Sequence, residues 1–106
     1  MVVEDWMTAK KRRDGRTSFD DDAYIELVAY EVPVSERFPD GVKYRFQYVG
    51  TGGEPTLRFD NFPDHPETPL HHVHRPDGSV DGVPWDGLDT HVERFLELVF
   101  QYRTLR

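Results

Sequence analysis

Cysteine is missing from this 106-residue chain, and disulfide frameworks, zinc–cysteine centres and thiol nucleophiles are excluded with it. Any chemistry therefore falls to His, Asp, Glu, Tyr, Arg and Lys, and any metal would have to sit on imidazole and carboxylate. Long apolar runs are missing too. None approaches the roughly 18 residues that cross a bilayer, and Met1 to Arg16 has no apolar stretch of the kind that marks a secretion signal. A soluble, cytoplasmic protein without membrane contact is expected.

Lysine is scarce, at 3 against 10 arginines, and the 8 glutamates trail 12 aspartates. This bias resembles that of salt-adapted, haloarchaeal proteins. Charge is screened within about 3 Å at 1 M salt, so a net charge of −7 reads as a hydration and solubility device rather than the mark of a cationic partner. The basic residues are unevenly placed. Lys10, Lys11, Arg12, Arg13 and Arg16 crowd into seven positions, whereas residues 17–106 carry a net charge of −9. A basic, flexible arm over residues 1–16 is expected ahead of one domain over 17–106, with Trp6 as an anchor for a partner or a base.

Within that domain, Ala23 to Val34 reads as a strand with apolar residues on both faces, as a central strand requires. Pro39-Asp-Gly41 marks a turn. Val42 to Val49 then alternates cleanly, with Val42, Tyr44, Phe46 and Tyr48 against Lys43, Arg45 and Gln47. Gly50, Gly52 and Gly53 fold Pro55 to Phe59 back as a hairpin partner. A short strand is expected over Leu70 to Arg75, closed by a turn at Pro76-Asp-Gly78. The last element is a helix opening near Asp89 or Thr90, where Thr90 and Glu93 have capping-box spacing, with Leu88, Val92, Phe95, Leu96, Val99 and Tyr102 on one stripe. The fold class that follows is α+β: a mostly antiparallel sheet of four to five strands with the C-terminal helix packed on one face.

Four of the five histidines fall between Leu57 and His74, beside an Asp60-Asn61 pair and just before Arg75. In strand geometry His72 and His74 share one face with Leu70, and His71, Val73 and Arg75 take the other. Three chemistries fit. His72 and His74 can point two imidazoles at one metal, with Asp60 or His65 completing the set. Alternatively, one imidazole takes a ribose 2′-OH proton, another protonates the leaving oxygen, and Arg45 or Arg75 stabilises the phosphorane. The third reading is structural, with Asp60 and Asn61 capping local backbone groups. The acid–base reading makes Asp60, Asn61, His65, His71, His72 and His74 the catalytic candidates, with Lys43, Arg45 and Arg75 contacting phosphate or RNA, and it needs no metal and no cofactor. Arg45 is also placed to pair across strands with Glu26 or Glu31.

Several blocks occur in a specific order: Val32-Pro33 closing a strand; Gly41, Lys43, Tyr44 and Arg45; Phe59-Asp60-Asn61; His71, His72 and His74; and a closing helix. Together they resemble the TumE family of small toxins from toxin–antitoxin pairs over about 85 residues. Between the Asp-Asn pair and the histidines many bacterial members carry a Gly-Lys-Gly-type segment. This chain has Phe62-Pro-Asp-His-Pro-Glu-Thr-Pro69, a variant associated with archaeal members. The resemblance implies the toxin of a type II pair, inhibiting growth by RNA cleavage or other interference with translation. It also implies a cognate antitoxin, of the small DNA-binding kind. A non-catalytic protein- or nucleic-acid-binding module and a His/carboxylate metal-dependent enzyme are the alternatives.

Overall fold

The computed structural model describes residues 10–53, 55–62 and 67–105. Six strands follow one another in the chain: β1 (Lys10–Ser18), β2 (Tyr24–Glu31), β3 (Val42–Val49), β4 (Pro55–Asp60), β5 (His72–His74) and β6 (Val80–Gly82). Each pairs antiparallel with the next, so spatial order equals chain order. The connections explain this meander. Gly41 at φ 71° lets its N–H bond back to the Phe38 carbonyl at 3.0 Å, while Val32 N–H donates to the Gly41 carbonyl at 2.9 Å. Gly78 at φ 87° closes the tight turn that brings Ser79 back onto Arg75. Turns of this kind return a chain directly beside itself and cannot make a parallel crossover.

The period of two in β3 decides the layers. Tyr44, Phe46 and Tyr48 are buried, and the register aligns them with Ala29, Leu27 and Ile25 of β2. Phe46 also stands opposite Phe59 of β4, which stands opposite Val73 of β5. That face is covered by α1 (Leu88–Leu105), whose Val92, Phe95 and Val99 are buried in the same core. Phe95 meets Phe59 and Phe46 at ring-centroid distances of 5.1 and 5.8 Å, near the edge-on and tilted arrangements that aromatic quadrupoles favour.

The α+β class and the one-sided helix stand as expected, but the sheet has six strands rather than four to five. The residues from Lys10 to Arg16, expected in the arm, lie in β1, which pairs with β2 from Lys10↔Glu31 to Ser18↔Tyr24 with one irregularity between Lys11 and Arg13. An edge strand needs a partner on one side only, and charged residues suit it because they discourage further strands from adding. Residues 1–9, including Trp6, lie outside the described residues. The second addition is β6, which returns from the Gly78 turn to pair with β5. The expected Leu70 to Arg75 strand is confined to His72–His74. The helix opens at Leu88, where His91 N–H bonds to the Gly87 carbonyl at 3.0 Å, so Thr90 and Glu93 sit inside the first two turns instead of forming its cap.

Candidate functional site

The face of the sheet away from α1 carries the other parity of each strand. Register sets Asp60 of β4 opposite both Arg45 of β3 and His72 of β5, and Arg58 opposite both Gln47 and His74. These residues therefore meet on one side although up to 29 positions separate them in the chain. Asp60 is the hub. Its Oδ2 accepts from Arg58 Nε at 2.7 Å and lies 3.5 Å from His74 Nε2; its Oδ1 accepts from the Phe62 N–H at 3.0 Å and lies 2.9 Å from His72 Nε2. Asp60 is 4 % exposed and His72 is fully buried.

Donor and acceptor chemistry fixes much of this corner. A carbonyl only accepts, so the 2.9 Å contact between His72 Nδ1 and the Pro69 carbonyl puts the hydrogen on Nδ1. Nε2 is left facing a carboxylate oxygen, and two lone pairs at that distance repel unless a proton or another cation lies between them. A guanidinium only donates, so the 2.9 Å contact from Arg58 makes His74 Nε2 an acceptor. His74 Nε2 therefore carries no proton while Arg58 holds it, and about a quarter of the side chain reaches solvent.

Beside this corner runs a groove of about 590 Å³, lined by Val28, Tyr30, Lys43, Arg45, Arg58 and Phe62 among others. Arg45 is half exposed and reaches Glu26 Oε1 at 3.3 Å, which settles the choice between Glu26 and Glu31. An exposed pair of this kind contributes little to stability, so Arg45 can exchange its carboxylate for a phosphate at small cost. Lys43 Nζ stands 4.6 Å from the centroid of the Phe62 ring. Cations, aromatic faces and the Asp60 carboxylate thus border one depression, and His74 opens on a smaller hollow that shares Arg58 with it. Among the described residues, Asp60, His72 and His74 also form a group able to hold a metal ion.

The family model described as toxin TumE matches residues 2–103. The chain belongs to the TumE toxin family. Comparison with curated proteins and with solved structures returned no match. The family makes this protein a toxin and implies an antitoxin as its partner. None of the toxin's described helices is long and apolar enough to cross a membrane.

The toxin's described histidines divide between the two faces of the sheet. His71 belongs to the covered side. There Asp40 Oδ2, His71, the Tyr44 hydroxyl and His91 form a chain with links of 2.7, 3.0 and 2.7 Å, and the indole of Trp85 stacks on His71 at 4.4 Å. The direction of these bonds depends on one proton. With His71 neutral its Nε2–H donates to Asp40, its Nδ1 accepts from Tyr44, and Tyr44 accepts from His91; with His71 charged it donates at both ends and Tyr44 donates to His91 instead. Burial, with the Asp60 and Asp40 charges adding to it, pushes the Tyr44 phenol well above its ordinary range. Burial also depresses His91, to about 4, helped by the His71 and Arg94 charges and opposed by the Pro84 carbonyl.

Of the residues singled out in the sequence, Asp60, His72, His74, Arg45 and Lys43 come together on the open face. Asn61 does not join them. It is 1 % exposed, accepts from Tyr44 N–H at 3.1 Å and donates to the Val42 carbonyl at 2.7 Å, so its amide replaces a strand partner where the β3–β4 ladder ends. Arg75 pairs with Asp81 of the neighbouring β6. His65 lies outside the described residues. Arg58, which links Asp60 to His74, is not among the residues singled out in the sequence. The visible signal for it was parity, because Arg58 stands two residues before Asp60 and must share its face. Asp40, Tyr44 and His91 are not among them as polar partners either, and local spacing carries no sign of contacts across 27 to 47 residues.

Proposed function

We propose that the toxin arrests growth by cleaving RNA on the open face of its sheet. The observation that carries this reading is a cationic, aromatic-lined groove that reaches Arg58 and Asp60, with His74 just across Arg58 in the adjoining hollow. Lys43 and Arg45 supply phosphate contacts, and Phe62 and Tyr30 supply ring faces on which unpaired bases stack. As Arg58 turns its terminal nitrogen from His74 to the incoming phosphate, still held at Nε by Asp60, the freed Nε2 of partly exposed His74 takes the ribose 2′-OH proton and the 5′ oxygen leaves with a proton from water. Arg58 stabilises the charge that develops on the phosphorane, while Asp60 holds the guanidinium in place. His72 is buried and does not touch the substrate, so its part is to position Asp60 from behind. His71 and Asn61 support the fold rather than the reaction.

An RNA target implies a cytoplasmic site of action, and the composition fits a salt-adapted, archaeal host. The antitoxin of such a type II pair is a small DNA-binding protein. A non-catalytic binding module is the second reading, favoured by the backbone-capping roles of Asn61 and of Asp60 Oδ1. Induced expression in a host lacking the antitoxin separates the two: the RNA reading expects growth arrest with progressive loss of intact RNA, and arrest with RNA intact would favour the binding module.

A further inference from the structure

We propose that Asp60, His72 and His74 bind a single borderline divalent cation, of the Zn²⁺ or Co²⁺ type, and that this ion competes with the Arg58 guanidinium for one place. One ligand atom from each of the three side chains lies within 4.8 Å of the others. Around a tetrahedral ion with bonds of about 2.0–2.1 Å, donors stand about 3.3 Å apart. Asp60 Oδ1 stands 2.9 Å from His72 Nε2 and Asp60 Oδ2 3.5 Å from His74 Nε2, so each carboxylate oxygen is near that spacing from one imidazole.

The second observation is the tautomer of His72. Its Nδ1–H is committed to the Pro69 carbonyl, so Nε2 is the atom turned toward Asp60 and the 2.9 Å gap holds either a proton or, once that proton is released, a metal ion, the arrangement that outer-shell carbonyls impose on metal-bound imidazoles. The third is Arg58 itself. Its guanidinium donates to Asp60 Oδ2 and to His74 Nε2 at once, which is where an ion would sit between the same two atoms. Its side chain is about one-third exposed, so it can swing out into the groove. Two imidazoles with one carboxylate select transition cations over Mg²⁺ or Ca²⁺, which favour all-oxygen sets.

Loading the ion has a consequence that rests on the RNA reading above. It occupies the Nε2 lone pair that makes His74 a base, so the filled site is the inactive one. Binding itself rests only on the geometry.

The test uses the full chain without an affinity tag, stripped with chelator and titrated with Co²⁺. The expected result is saturation at one equivalent with visible absorption of a low-coordinate site, displacement by Zn²⁺ and not by Mg²⁺, and a melting temperature raised by on the order of 10 °C at a hundredfold excess over Kd. His72→Ala empties a buried position and can fail to fold, so the deciding variant is His74→Gln, at a partly exposed site. It should fold normally in chelator and bind Co²⁺ at least about tenfold more weakly, whereas Arg58→Ala should bind more tightly than wild type. Absence of saturable absorption, or equal affinity in His74→Gln, would overturn the site, and weaker binding in Arg58→Ala would overturn the competition. RNA loss undiminished with the site filled by Zn²⁺ would overturn the mutual exclusion. RNA that stays intact in chelator counts against the RNA reading alone, because the Co²⁺ titration stands without it.

Discussion

Acid should weaken this fold through one residue of its core. His91 is fully buried on α1, and its folded pKa is depressed from 6.5 to about 4, chiefly by burial. Between those two values the unfolded chain holds a proton on this imidazole that the folded chain does not, so stability falls as pH drops from 6.5 toward 4 and levels off below. The gap from 6.5 to about 4 corresponds to on the order of 3 kcal/mol at most. That is a sizeable part of the 5–15 kcal/mol typical of a domain. The groups facing His91 are Tyr44, His71 and Arg94, with Asp40 reached through His71. The assay is urea unfolding at pH steps from 7 to 4, wild type against His91→Phe. The variant should be less stable at pH 7, because Tyr44 loses a hydrogen-bond partner, and its stability should fall less steeply across the window. Parallel curves for the two proteins would refute the reasoning.

Asn61→Ala strips two buried backbone groups of their partner and should cost on the order of 2–4 kcal/mol in a denaturation curve, with residual activity tracking the folded fraction. Phe95→Ala should cost about 3–5 kcal/mol, since Phe95 is fully buried against Phe46 and Phe59; a much smaller loss in the thermal melt would mean that α1 is not the lid on this sheet. Arg45→Ala should leave the melt nearly unchanged and reduce the slope of log affinity for single-stranded RNA against log salt by about 0.7, the value of one phosphate contact. An unaltered slope would place the RNA elsewhere.

How much of this was legible in the sequence depended on the range of the interaction. The alternation in β3 was plain because one face is sealed by α1, and the parity that divides His71 from His72 and His74 follows from two residues of strand. β1 was hidden by its own chemistry: a run of lysines and arginines reads as a solvated tail, and only its place at the sheet edge, pairing through backbone on one side, reconciles the two. β6 is Val-Asp-Gly, too short for any period to show. Arg58 sits between Leu57 and Phe59, where it passes for an ordinary outward residue until the register sets it beside His74. The chain from Asp40 through His71 and Tyr44 to His91 joins a loop, a strand approach, a mid-strand residue and a helix start, and nothing local in the sequence links them.

The most direct measurement of the central claim uses purified toxin and an end-labelled single-stranded RNA in chelator, with the cleaved ends identified. Proton removal from the 2′-OH by His74 produces a 2′,3′-cyclic phosphate. The expected result is cleavage that leaves such ends, vanishes on an otherwise identical 2′-deoxy strand, and drops by about 10²–10⁴ in His74→Ala while its melt stays close to wild type. Intact RNA from a protein that still arrests growth, or full cleavage by His74→Ala, would contradict it.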